Sequence, residues 1–494
     1  MLGEAHMNVI LVNPRAQKSH RRLPLSVLFV ARNFPEHVTW EIVDANIDSD
    51  AKARAEALIA RDPANTVVMV TVMPGPQLSW ATPWCRLLKV RFPETVVVWG
   101  GYFPSVYPEA VCADAGVDYA VLNQGEDTAV ELVEALSEGR DPAGIPGLAV
   151  WRDGALIRGP LRPWTRSSRY PMPPYERLPM EDYAAKTFLG DRTFNHHSSV
   201  GCPYTCNFCA VTAVANGAWI PDPAKDVVET VRLLHNRYRA DAIEFHDNNY
   251  FAAERRCHAV ARGIASLGVR WWGEGRIDTM LEWSHETWAA MARSGLAMVF
   301  YGAESGDQEA LEAMDKGGLQ VEQTIELNKR ARSYGVIPEF SFVMGNPGNP
   351  EGDIAATIAL VRRLKSDNPD CEIILYMYTP VPLPGMFDEA TAMGFSFPET
   401  LDEWLSPTWS GYEERRNPVT PWLTPAIVQG VYDFESVLHA WRPSVSDRNL
   451  RPWQRAALRI LAAPRYRLGW YSRPYELKAL QRLWRYRRPE EMGF

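Results

Sequence analysis

Nowhere in this chain does an apolar run approach the ~20 residues that a membrane span needs, and residues 1–10 carry no signal-peptide pattern. Those two absences lead to the expectation of a cytoplasmic protein without a transmembrane segment. An excess of positive charge is also missing: the net charge of −8 argues against a general nucleic-acid binder. Cysteine is scarce, seven in 494 residues, and four of the seven, Cys85, Cys112, Cys257 and Cys371, are scattered and read as reduced core thiols. What remains is an ordinary soluble composition, 46% apolar and 23% charged, in a chain long enough for two or three domains.

The other three cysteines fall within eight residues, Cys202-Pro203-Tyr204-Thr205-Cys206-Asn207-Phe208-Cys209. Seven cysteines placed at random would give this spacing roughly once in 10⁴ such chains, so the cluster calls for a chemical reason. Three thiolates on one short loop hold three irons of a [4Fe–4S] cluster and leave the fourth open, which suits a redox catalyst. A closed zinc site would instead have to borrow Cys257, Cys371 or a distant histidine. The spacing C-x₃-C-x₂-C, with the aromatic Phe208 before the last cysteine, resembles the radical S-adenosylmethionine (SAM) superfamily. That resemblance implies metal ligation by Cys202, Cys206 and Cys209, SAM bound at the open iron, and an external electron donor of the flavodoxin or ferredoxin type. The reduced cluster then cleaves SAM to a 5′-deoxyadenosyl radical.

Apolar runs at 8–13, 39–43, 66–72, 95–99 and 118–122 alternate with helix-like stretches at 24–34, 51–59, 80–91, 108–115 and 128–137. Such alternation predicts a doubly wound, Rossmann-like α/β domain over 1–145, with ligands beyond the carboxyl ends of its strands. Asn13-Pro14, Met73-Pro74-Gly75 and Gly100-Gly101-Tyr102-Phe103-Pro104 stand at those ends, as does Gly125-Glu126. No G-x-G-x-x-G follows the first strand, which disfavours a nicotinamide domain. Together W-G-G-Y-F-P-S-V-Y-P-E and V-D-Y-A-V-L-N-Q-G-E-D resemble the cobalamin-binding domain that precedes many radical SAM domains. The resemblance makes Asn13, Pro14, Met73, Gly75, Gly100, Gly101, Pro104, Gly125 and Glu126 the candidate cobalamin residues. Neither His20 nor His37 stands in the D-x-H-x-x-G setting that ligates cobalt, so the lower face of the metal is expected to be empty or held by water.

Residues 146–190 are proline-rich and read as a linker that begins with a hairpin around Asp153-Gly154. Over 191–386 strand-like runs each end in polar groups, as expected where a partial (β/α)₆ TIM-like barrel gathers its loops around one site. His246-Asp247-Asn248-Asn249, Arg276 in G-E-G-R-I-D, Glu304 in G-A-E-S-G and M-G-N-P-G at 344–348 are these ends. By resemblance Asp247 and Asn248 meet the amino group of SAM, Glu304 its ribose or amino group, and Gly345 and Pro347 its adenine, with Phe208 beside the cluster. Arg276 suits a bidentate pair with the SAM carboxylate. His196, His197 and His246 read as packing or supporting groups, and Tyr376 and Tyr378 as strand residues that either face the substrate or join the core.

From 387 to 494 the alternation stops, and a mainly helical cap over the open side of the barrel is expected. Residues 441–494 hold 13 Arg or Lys against 4 Asp or Glu, with Trp441, Trp453, Trp470 and Trp484 interleaved. Such a tail is either a solvated helical face or a contact for an acidic or lipid-like substrate or an anionic membrane surface; it also suits single-stranded nucleic acid, but no recognised RNA-binding module accompanies it. The resemblance implies three cofactors, [4Fe–4S], SAM and cobalamin, and a methyltransferase that uses a 5′-deoxyadenosyl radical and methylcobalamin on an unactivated carbon. Its substrate is expected to be a small molecule: a natural product, a lipid or a tetrapyrrole-like compound. A cobalamin radical cyclase, ring-contraction or oxidative enzyme, or a non-catalytic cobalamin/Fe–S sensor, are the alternatives.

Overall fold

Runs such as Thr66–Thr71 (TVVMVT), buried almost from end to end, fit strands covered on both faces rather than one. In the computed structural model, which describes residues 6–16, 21–412 and 418–486, five of them make a parallel sheet. They are β1 (Asn8–Asn13), β2 (Thr39–Asp44), β3 (Thr66–Thr71), β4 (Val96–Gly100) and β5 (Tyr119–Val121). A hairpin of β6 (Leu148–Arg152) and β7 (Ala155–Arg158) turns at Asp153-Gly154 and continues the sheet antiparallel from β5. The order β2-β1-β3-β4-β5-β6-β7 reverses direction between β1 and β3, the switch point where a doubly wound sheet opens a crevice. Helices α1 (Leu25–Ala31), α2 (Pro76–Arg91) and α3 (Glu126–Ser137) follow β1, β3 and β5. Val67, Val68 and Val97 are wholly buried beneath these layers, each worth about 1.5–3 kcal/mol.

Two later segments complete this first unit, which contains the chain to Tyr183, Ala213–Asp222 and, among the described residues, 396–412. The proline-rich stretch is tied down where Tyr183 donates to Asp44 Oδ2 at 2.9 Å and Arg32 donates to Ser167 Oγ at 2.8 Å. Residues 396–412 pack aromatic on aromatic. Trp404 stands edge-on to Phe103 at 5.2 Å and lies 4.9 Å from Tyr107.

The second unit contains Ala184–Thr212, Pro223–Phe395 and 418–486. Its strands are β8 (Thr193–His196), β9 (Ala242–Phe245), β10 (Arg270–Gly275), β11 (Leu296–Glu304), β12 (Ile337–Met344) and β13 (Glu372–Met377). All pair in parallel and in chain order, the arc of a partial barrel. Helix α4 (Pro350–Asp367) precedes β13, and the C-terminal part of the unit holds α5 (Pro425–Trp441), α6 (Pro452–Leu468) and α7 (Tyr475–Leu483). The chain around them clasps the arc at both ends. Trp422 donates to the carbonyl of Gly345 beyond β12 at 3.0 Å. At the opposite end Ser446 N–H donates to Glu372, the first residue of β13, at 3.0 Å, and Arg448 donates to the Thr187 carbonyl ahead of β8 at 2.6 Å. The segment 444–448 thus spans the two edge strands of the open side. No helix among the described residues is long and apolar enough to cross a membrane.

Candidate functional site

The cysteine loop leaves the C-terminal end of β8 through Gly201, whose φ of +76° lets the chain turn sharply into Cys202. Two bonds fix it from across the barrel mouth: Asn207 N–H donates to the Met314 carbonyl at 3.3 Å, and Asn207 Nδ2 to that of Ala313 at 2.8 Å. Cys206 is buried, while Cys202 and Cys209 are half-buried. Burial pushes the Cys209 thiol up to about 11 and also raises Cys206, against the pull of the Lys316 and Arg276 charges. Two side chains donate to sulfur. Asn249 Nδ2 stands 3.7 Å from Cys202 Sγ, and Arg276 Nη1 stands 3.4 Å from Cys206 Sγ. Three thiols on one loop, two of them met by hydrogen-bond donors and one beside two cations, fit the thiolate set of an iron–sulfur cluster. Among the described residues no three His, Cys, Asp or Glu side chains converge on a single ion.

Arg276, expected from sequence to pair with the SAM carboxylate, is engaged within the fold. Its fork is already occupied by Asp278, at 3.1 Å from Nε and 2.7 Å from Nη2, and Nη2 also reaches the Lys316 carbonyl at 2.7 Å. The guanidinium lies 3.8 Å over the Tyr204 ring, inside the loop. Through these contacts Arg276 ties Cys206 and Tyr204 of the cysteine loop to the Lys316 carbonyl. Asp247 is likewise engaged within the fold. It is fully buried and accepts from Ser198 N–H at 3.0 Å and from the hydroxyls of Ser198 and Ser199, anchoring the turn that feeds the loop. Its neighbour Asn248 is exposed instead.

Glu304 ends β11 with φ +61°, a left-handed conformation outside glycine, and forms a buried ion pair with Lys316. Gly302 makes room for that pair, since a Cβ there would run into Glu304 and stand 2.5 Å from Lys316 Nζ. Lys316 Nζ also lies 5.8 Å from the centre of the half-buried Phe208 ring. Gly345, with φ +77°, gives its N–H to Asp353 Oδ2 at 2.7 Å and its carbonyl to Trp422, so the backbone groups expected to meet adenine are engaged within the fold. Pro347 stays half-buried two residues on. Asp353, in the first turn of α4, also accepts from Ser305 and Asn346 and so joins the ends of β11 and β12. Tyr378 is 1% exposed and 6.1 Å from Trp422, with burial pushing its phenol well up, a core aromatic rather than a cavity wall. Tyr376 is half-buried on β13. His246 is held 3.0 Å from Glu244 and 5.3 Å from the Trp272 ring, in a supporting position. Sequence reasoning missed Lys316, Asp278, Asp353 and the two serines. Only Asp278 carried a signal, as it shares the segment G-E-G-R-I-D with Arg276.

In the first unit the other candidates line the carboxyl edge of the sheet. Gly75 (φ +77°, ψ −130°) and Gly101 (φ +98°, ψ −162°) begin the helices after β3 and β4 in a region of backbone space open essentially to glycine alone. Two loops therefore present bare backbone side by side, and Met73 between the strands is 42% exposed. Asn13 Nδ2 donates to Asp44 at 3.0 Å, the Pro14 carbonyl accepts from Asn46 at 3.2 Å, and the Gly100 carbonyl accepts from Val72 N–H at 2.8 Å. Pro104 is buried, and Gly125 packs against Val121 and Val30. Glu126, the last of these candidates, is engaged within the fold. It is 7% exposed, pushed upward by burial and faces Arg32 at 3.6 Å, so it braces α3 against α1. His37 precedes β2 at the opposite edge, and His20 lies outside the described residues. The glycine-lined crevice with an exposed thioether fits a flat macrocycle laid on backbone.

A doubly wound sheet open at its switch point and a partial barrel with three cysteines at its mouth stand in one chain, and the family matches fall on the same two parts. The B12 binding domain family matches residues 20–133, and the radical SAM superfamily matches residues 197–361. An uncharacterized methyltransferase of Pyrococcus horikoshii is 28% identical over 397 residues, covering 78% of this chain and 83% of that protein. The anaerobic magnesium-protoporphyrin IX monomethyl ester cyclase of Rubrivivax gelatinosus is 27% identical, with 62% of this chain matching 55% of its length. The fold is that of the radical SAM methyltransferase TsrM from Kitasatospora setae, solved with tryptophan and a SAM analogue (TM-score 0.66, 20% identity, 97% and 99% of the two chains). The chain thus carries a B12 binding domain and a radical SAM domain, which together imply a [4Fe–4S] cluster, SAM and cobalamin as its cofactors.

Proposed function

We propose that this protein methylates an unactivated carbon of a small-molecule substrate. The observation that carries the reading is the loop Cys202–Cys209 with donors on its sulfurs, in a chain that also holds a B12 binding domain. When bound, cluster and SAM supply a 5′-deoxyadenosyl radical that takes hydrogen from carbon, and cobalamin supplies the transferable methyl group.

The residues then divide the work. Cys202, Cys206 and Cys209 hold the cluster, Arg276 and Asn249 hold two of the sulfurs in place, and Asp247 fixes the turn that delivers them. Phe208, Asn248, Glu304 and Pro347 would meet SAM, with Glu304 held in its buried pair with Lys316. Asn13, Pro14, Met73, Gly75, Gly100, Gly101, Pro104 and Gly125 wall the cobalamin crevice.

The reading is tested by anaerobic incubation of iron-reconstituted protein with SAM, cobalamin and a strong reductant, with 5′-deoxyadenosine and S-adenosylhomocysteine measured together by mass spectrometry. Both products support methylation. The similarity to a cyclase favours oxidative ring closure as the second reading, and 5′-deoxyadenosine alone would select it. Neither product, with both cofactors spectroscopically present and candidate substrates supplied, would refute a methyltransferase.

A further inference from the structure

Helices α6 and α7 leave an apolar stripe bare. Along α6, Trp453, Ile460, Leu461 and Leu468 are 59%, 72%, 46% and 79% exposed. Their spacing of i, i+7, i+8 and i+15 puts them on one side of a helix. The other side, Leu458, Ala462 and Tyr466, is buried. On α7, Tyr475 and Leu483 are 68% and 72% exposed while Leu477 and Gln481 face inward. Trp453 meets Trp484 edge-on at 5.5 Å, so the start of α6 adjoins the end of α7 and the two stripes neighbour each other.

The charge around this stripe is one-sided. Residues 451–486 contain nine Arg or Lys and a single acid, Glu476, in a chain whose net charge is −8. Arg455, Arg465 and Lys478 are engaged by Asp447, Glu476 and Asp433. The remaining six, Arg451, Arg459, Arg467, Arg473, Arg482 and Arg485, are exposed and form no ion pair among the described residues. A two-fold contact between copies would set these six arginines against six more, so the face is not self-complementary. Isolated aliphatic side chains standing proud among arginines and tryptophans match the boundary between lipid headgroups and acyl chains.

We propose that the exposed faces of α6 and α7 seat this protein on an anionic lipid surface. The apolar stripe enters the headgroup boundary and the arginines pair with lipid phosphates, without any segment crossing the bilayer.

The test is flotation of the full-length protein with vesicles of about 30% phosphatidylglycerol in phosphatidylcholine, against phosphatidylcholine alone. The expected result is binding to the anionic vesicles at low salt that drops about fivefold or more on neutral vesicles and at high salt. Two variants, Ile460→Asp with Leu468→Asp, and Arg459→Gln with Arg467→Gln and Arg482→Gln, should each lose about fivefold or more. All these side chains are exposed, so thermal unfolding and 5′-deoxyadenosine formation should stay as in the parent. Absence of flotation by folded parent protein would overturn the proposal. So would a concentration-dependent dimer, seen by ultracentrifugation without vesicles, that Ile460→Asp abolishes.

Discussion

Replacing Arg276 by glutamine separates what this residue does for the fold from what it does for the cluster. The guanidinium is buried at 6% exposure, paired with Asp278, bonded to the Lys316 carbonyl and laid on Tyr204. Its loss leaves Asp278 short of its partner, and a cost of about 2–4 kcal/mol is expected. The charge stands 3.4 Å from Cys206 Sγ, which at an effective dielectric near 20 caps its attraction for a thiolate at about 5 kcal/mol. Asp278 cancels most of that, leaving about 1–2 kcal/mol in favour of added negative charge on the cluster. For one electron this converts to a reduction potential roughly 40–90 mV more negative in the variant. The assay is an anaerobic redox titration followed by electron paramagnetic resonance, on protein with full iron content, beside Arg276→Lys as a charge-retaining control. A glutamine variant with intact cluster and unchanged potential would show that Arg276 acts on the fold alone.

Alanine at Cys202, Cys206 or Cys209 should abolish cluster binding and 5′-deoxyadenosine formation, read by iron content and product analysis. Gly302→Ala should cost about 2–4 kcal/mol in denaturant unfolding, because the new methyl group displaces the Glu304–Lys316 pair, and SAM cleavage should fall with it. Gly101→Ala adds a Cβ 3.1 Å from Thr71 Oγ1 at a φ of +98°. About 1–3 kcal/mol of destabilisation and weaker cobalamin retention on gel filtration are expected.

The cysteine loop was legible because its information is local: three thiols in eight residues define a donor set before any folding is considered. The alternation of apolar runs with helical periods likewise carried both sheets, and the glycines at 75 and 101 marked the crevice because no other residue takes their backbone angles. Roles at the barrel mouth were less legible. Asp247 and Arg276 look from sequence like free charged groups at strand ends, yet Asp247 is met by Ser198, 49 residues upstream, and Arg276, besides the nearby Asp278, by the Lys316 carbonyl 40 residues downstream. Only packing brings those partners together. Lys316 itself, in Met314-Asp315-Lys316-Gly317-Gly318, reads as an exposed turn, and nothing local announces that it is buried against Glu304. The aromatic docking of 396–412 on the first unit is hidden for the same reason, as Trp404 finds Phe103 across some three hundred residues.

The clasp at the edges of the barrel also sets a timetable. Ser446, which secures the first residue of β13, emerges about 240 residues after Cys209 during synthesis. At 5–20 residues per second this leaves roughly 10–50 s in which the cysteine loop exists while the last strand lacks its fastening. A nascent barrel in that interval is an open sheet with an unfastened edge, accessible to iron and sulfide delivery and equally to misassembly. The order of synthesis therefore places the fastening of the barrel after its cysteine loop and all six of its strands.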